Sequence, residues 1–220
     1  MLLDISIITD GSHRSPRYRA VSVGADGPGR IARPRKGRRL LKTYVALLRG
    51  INVSGKKIVP MSELKRMSAG LGLTDVVTYL NSGNVIFRSA KNAGDIERSL
   101  EIEIAKVFAF EVKVIVFSIS QIGSILAGCP FDEGKLGKKE KIYVTLLSKL
   151  PDRDSVSRMN GIADQIDEWA ISGRAVYLLI RKGYAKTLFN NSFIERTLSV
   201  VATTRNANTL RKIVEIGTFK

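Results

Sequence analysis

A chain of 220 residues with 44% hydrophobic and 7% aromatic content can bury a core as one domain or two small ones, and its 36 Lys and Arg against 20 Asp and Glu leave a formal net charge of +16. The single cysteine, Cys129, excludes an internal disulfide and a thiolate-rich metal site. The only histidine, His13, precedes the folded part, so Ser-His-Asp and Cys-His hydrolysis, His-ligated zinc and His general acid/base catalysis are excluded from the body of the chain, and no metal or other cofactor is expected.

Residues 1–42 hold ten Lys and Arg against three Asp, +7 of the net charge, and GADGPGRIARPRKGRR mixes glycine, proline and arginine without periodicity. This composition predicts a solvated, disordered tail whose contact with nucleic acid would be electrostatic and unspecific. The opening MLLDISIITD lacks a basic n-region and a small-residue cleavage site, and no apolar run reaches bilayer length. A cytoplasmic location without membrane contact is expected.

From Thr43 the elements alternate. TYVALLR reads as a strand, and PMSELKRMSAGLG places Met61, Leu64, Met67 and Leu71 at helical spacing with Gly70 and Gly72 as stop signals. VVTYLNSGNVIFRS reads as a hairpin around residues 81–84, followed by a helix from Asp95 to Phe108, the strand KVIVF and a helix from Ser120 to Ala127. The order then recurs: the strand KIYVTLL, a helix from Asp154 to Ile166, the hairpin EWAISGRAVYLLIRKG turning at Ser172-Gly173, a helix in TLFNNSFIERTLS, the strand VVAT and a final helix NTLRKIVEI. The fold class is therefore α+β, two tandem ferredoxin-like β-α-β-β-α-β units with mainly antiparallel sheets and a C-terminal helix. The first unit with its linker helix is expected over 43–128, a linker over 129–140 and the second unit over 141–220.

Two polar constellations stand out. Gly50 and Gly55-Lys56 match the first seven positions of a phosphate-binding loop, G-x-x-x-x-G-K. Lys57, however, stands where a Ser or Thr should hold magnesium, and Pro60 where the helix should already run. Topology offers a better argument: in β-α-β-β order the loop after strand one and the turn between strands two and three emerge at the same sheet end. That places Arg49, Asn52 and Lys56 near Ser82 and Asn84, a set of cations, amides and a hydroxyl suited to a phosphate or carboxylate. The architectural alternative is that Gly83 supplies a positive φ, the asparagines bond their own backbone and Arg49 pairs with a neighbouring acid. The second constellation is residues 202–206, where Asn206 as an N-cap sets a helix N-terminus beside Arg205, either an anion site or a cap with a surface arginine.

Elsewhere the chemistry is thin. The acidic groupings Asp152 with Asp154, Asp164 with Asp167 and Glu168, and Asp132 with Glu133 lie among Lys and Arg and read as solvated faces. NVIFRS and AVYLLIRKG do not match the aromatic pattern of RNA-binding sheets, so Tyr143, Trp169, Tyr177 and Tyr184 read as packing residues.

The motifs LLRGIN (47–52), GK (55–56), PM (60–61), SGNV (82–85), FIERTL (193–198) and TTRN (203–206) occur in order, and on them the chain resembles the bacterial domain-of-unknown-function family 1697 over residues 43–216. The resemblance implies a polar architecture with no assigned chemistry. It also exposes two departures, Ser54 in place of a glycine and Ala207 in place of a Trp after TTRN, the latter implying an altered ligand site if that indole packs on a ligand. The expected function is binding of an anionic ligand bearing phosphate or carboxylate, a nucleotide or nucleic acid among the candidates. The alternative is an imidazole-free enzyme acting on a phosphorylated or carboxylated metabolite, with Lys56 or Arg205 as electrostatic stabiliser.

Overall fold

The computed structural model describes residues 40–162 and 167–219, so the expected basic tail lies outside the described residues except for its last three positions. The first unit runs β1 (Lys42–Leu48), α1 (Met61–Gly70), β2 (Thr74–Tyr79), β3 (Asn84–Ser89), α2 (Ala93–Phe108) and β4 (Val114–Ser118), and α3 (Ile119–Ala127) follows it. The second repeats the order as β5 (Lys141–Leu147), α4 (Arg153–Asn160), β6 (Glu168–Ser172), β7 (Ala175–Ile180), α5 (Asn191–Leu198) and β8 (Ala202–Asn206), closed by α6 (Ala207–Thr218). Each unit forms a four-stranded antiparallel sheet, in the order β2-β3-β1-β4 and β6-β7-β5-β8. The fold is α+β, as the alternating patterns predict.

Alternation along β1 explains how the layers assemble, because successive side chains point to opposite faces. Tyr44, Ala46 and Leu48 face α1 and α2, packing with Leu64, Ile96, Leu100 and Ile104. Val45 and Leu47 face the other way, into a core shared with Val144, Leu146 and Tyr177 of the second sheet and with Ile122 of α3 and Leu210 and Ile213 of α6. The far side of the second sheet, Leu147, Val176, Leu178 and Ile180, packs on Met159, Ile194 and Leu198 of α4 and α5. Both sheets are thus covered on both faces, and the described residues cluster as one compact unit.

Element ends differ from the sequence reading where caps intervene. Asn92 accepts from Asp95 N at 2.9 Å and starts α2 two residues early. α4 stops at Asn160, with Gly161 as its C-cap, and residues 163–166 lie outside the described residues. Asn190 accepts from Phe193 N at 3.0 Å, so α5 begins only at Asn191. The last strand is displaced toward the C-terminus because residues 202–206 hold the register with β5, while Val200 packs from the preceding loop.

The edge strand β4 is shielded by α2: Glu97 accepts from Val116 N at 2.7 Å and Glu101 from Val114 N at 3.0 Å, which occupies the free ladder groups of an exposed edge. Glu97 is half-buried, and burial raises its pKa above the ordinary carboxylate range against the opposing pull of the Val116 N–H and Arg174. Such a carboxyl favours the folded state most below its unfolded pKa and loses that contribution as pH rises through the folded value. Glu97→Gln keeps an acceptor for Val116. It should equal or exceed the parent's stability at pH 7 and fall behind as pH drops toward 4, as denaturant midpoints across pH would show; a deficit confined to pH 7 would contradict this account.

Candidate functional site

The loop after β1 and the β2–β3 turn do meet at one end of the first sheet. Leu48 N donates to Gly83 O at 2.9 Å, and Asn52 Nδ2 donates to Asn81 O at 2.8 Å and to Val59 O at 3.1 Å. Asn52 Oδ1 in turn accepts from Val59 N at 2.8 Å, so this side chain is spent closing its own loop. Gly83 is required twice over. Its φ is +76°, and a Cβ there would lie 2.6 Å from Ile51 Cδ1 and 2.8 Å from Leu48 Cβ.

Into this junction comes Arg205, the residue expected at a helix start on the surface. It lies instead within β8, opposite Val144, and is buried against the first unit. Nε donates to Asn84 Oδ1 at 2.6 Å, Nη1 to Thr203 Oγ1 at 2.8 Å and Thr204 O at 2.9 Å, and Nη2 to Ser82 O at 2.9 Å and Leu48 O at 3.0 Å. All five N–H groups of the guanidinium therefore end on protein oxygens. Burial pulls its pKa down to about 10, so it remains a cation at neutral pH.

The other expected ligand cations fare similarly. Arg49 forms a two-pronged pair with Glu195, Nε to Oε1 at 2.6 Å and Nη2 to Oε2 at 2.5 Å, and this hydrogen bond raises the Arg49 pKa. Glu195 Oε1 also accepts from Ala202 N at 3.0 Å. Asn84 donates to Tyr79 O and Ser82 Oγ, and Asn206 caps α6 by accepting from Asn208 N at 2.9 Å. Of the expected set Ser82 and Lys56 are exposed, and Lys56 alone has no side-chain partner among the described residues. The topological argument thus placed the loops correctly, but Arg49 and the incoming Arg205 face protein oxygens. The enzyme alternative loses Arg205 as its stabiliser for the same reason.

A second site was not anticipated. Lys138 and Lys139 of the loop before β5, Lys141 at its start, and Lys182 and Lys186 beyond β7 line a hollow of about 570 Å³ at one end of the second sheet. Tyr143 and Ile180 supply its apolar wall. The register explains the convergence, since Lys141 pairs with Ile180 and the flanking basic segments leave the sheet side by side. Nearby carboxylates are occupied: Glu140 accepts from Arg181 Nε at 3.0 Å, and Glu168 from Arg181 Nη2. None of the five lysines has an ion-pair partner among the described residues. The sequence signal was present in GKKEK and RKGYAK, but it needs the β5–β7 pairing to be seen as one patch.

The profile of the family described as "Protein of unknown function (DUF1697)" matches residues 41–177. The chain belongs to that family. It is also similar in fold to the solved structure of the conserved bacterial protein SP0830 from Streptococcus pneumoniae, at 24% identity over 80% of this chain and 99% of that one, with a TM-score of 0.66. No curated protein matches it. The DUF1697 match ends within β7, so Glu195 and Arg205 lie beyond it. Ala207, the position at which the resemblance implied an altered ligand site, is buried beside Ile142 and Leu179. Among the described residues no His, Cys, Asp and Glu cluster could hold a metal, and no helix is long and apolar enough to cross a membrane.

Arg205→Met should cost on the order of 3–5 kcal/mol, because it strands Asn84 Oδ1 and the carbonyls of Leu48 and Ser82 without donors. Arg205→Lys should be nearly as damaging, since one ammonium cannot reach acceptors spread around a planar fork. Gly83→Ala should lose roughly 1–3 kcal/mol from the forced φ and the clash. Urea unfolding would check all three, and an Arg205→Met protein of unchanged midpoint would show that the guanidinium is dispensable.

Proposed function

We propose that this protein is a cytoplasmic binder of an anionic ligand, phosphate- or carboxylate-bearing, held at the lysine-lined hollow of the second sheet. The observation that carries the reading is the convergence on one concave surface with an apolar wall of five lysines that have no carboxylate partner among the described residues. Like charges gathered this way repel one another and lower stability, and a multivalent anion relieves that repulsion while gaining from all of them. The hollow's volume suits a small-molecule site, and its cations remain hydrated and mobile until a ligand arrives. A lone cysteine, which can form no internal disulfide, suits a reducing compartment.

Pyrophosphate should raise the melting temperature of the full chain in low salt, and the rise should shrink as salt screens the charges. The triple variant Lys139→Gln, Lys182→Gln, Lys186→Gln should lose most of that rise, while its own melting temperature without anion equals or exceeds the parent's. Lys56→Gln serves as the control for the loop after β1 and should leave the rise intact. A full rise in the triple variant, or its loss in Lys56→Gln, would move the site away from the hollow.

A further inference from the structure

We infer that the ligand of this hollow is single-stranded nucleic acid, with Tyr143 as the platform on which a base stacks; this rests on the anion-binding reading of the same site. The donor set argues for a chain of phosphates over a single one. Among the described residues every unpaired cation lining the hollow is a lysine, a point charge on a flexible stem, and the one arginine there, Arg181, is engaged by Glu140 and Glu168. Five ammonium groups from the loop before β5, from β5 and from the segment after β7 can follow a backbone, but they offer no rigid fork to enclose one phosphate.

The apolar wall argues for a base. Lys141 and Tyr143 are two residues apart on β5 and therefore share a face of the sheet, which sets the ring beside a cation. Tyr143 is half-buried, and the ring of Tyr184 supports it at a centroid distance of 4.8 Å and an interplanar angle of 35°. The Tyr184 hydroxyl is itself buried beside Thr204 and Asn191 without a well-formed hydrogen bond, so it is the ring that does the packing. A cation-lined groove with a braced aromatic ring is the arrangement by which proteins hold single strands without reading sequence. In a duplex the base faces are stacked and cannot reach Tyr143.

The test is fluorescence anisotropy of the full chain with a labelled 12-nucleotide oligothymidylate, with inorganic polyphosphate of matched charge as competitor. Residues 1–42 also attract oligonucleotides by charge, so the hollow is read from differences between variants. Tyr143→Leu keeps apolar bulk against Tyr184 and should weaken oligonucleotide binding by roughly tenfold while leaving polyphosphate binding unchanged; Tyr143→Phe should bind like the parent. The Lys139, Lys182 and Lys186 triple glutamine variant should flatten the slope of log affinity against log salt by about 2. If Tyr143→Leu binds oligonucleotide like the parent, or loses polyphosphate equally, the nucleic-acid assignment is overturned while anion binding stands. If the triple variant binds both polyanions with unchanged affinity and slope, both readings of the hollow fail together.

Discussion

The guanidinium of Arg205 is the group around which the two halves of the molecule are arranged. A buried cation without a carboxylate is costly unless every N–H finds an acceptor, because the solvation lost on burial far exceeds what any one hydrogen bond returns. Here Asn84, Ser82 and Leu48 come from the first unit and Thr203 and Thr204 from the second. The five acceptors coincide only if β8 lies against the ends of β1 and β3 at one offset. Hydrophobic burial between the sheets favours contact without choosing that offset, and the arginine chooses it.

Other polar contacts reinforce the same seam. Glu195 of α5 fixes Arg49 and the start of β8 together, and the Arg174 guanidinium sits 4.2 Å from the ring centroid of Phe117 on β4. LLRGIN and SGNV, inside the family match, and FIERTL and TTRN, beyond it, are thus largely the two sides of one internal joint. A consequence for function follows from the layering. With both faces of both sheets covered, a ligand is left the strand ends and loops, which is where the unpaired lysines gather.

Much of the fold was legible because the periodicities were clean: KIYVTLL and AVYLLI could only be strands, and Ile96, Leu100 and Ile104 mark one helical face. Boundaries were less so, since Asn92 and Asn190 decide where α2 and α5 begin through single side-chain bonds. The site was legible only in part. Topology brought Arg49 to the β2–β3 turn, but nothing local announced that Glu195, 146 residues away, and Arg205, 121 residues beyond Asn84, would close on the same junction. Arg205 beside a capping asparagine looked like a surface anion site because the cap is local and the burial is not.

The two units also show how one topology reaches different ends. β1 and β5 both read Lys-x-Tyr-Val-x-Leu-Leu, and in each the first residue pairs with the last residue of the hairpin strand, Lys42 with Ser89 and Lys141 with Ile180. Lys91 therefore stands where Lys182 does, and a hollow of about 410 Å³ lined by Lys42, Tyr44 and Lys91 is the first unit's counterpart. There the tyrosine and one lysine are engaged: the buried Tyr44 donates to Lys91 O at 3.2 Å, and Lys91 Nζ donates to Leu71 O at 3.3 Å. In the second unit Tyr143 stays partly exposed, and the lysines have no ion-pair partner among the described residues. Two nearly equal frameworks thus differ in whether internal hydrogen bonds have already claimed the groups at the strand ends, and that difference separates an architectural end from one left open to an anion.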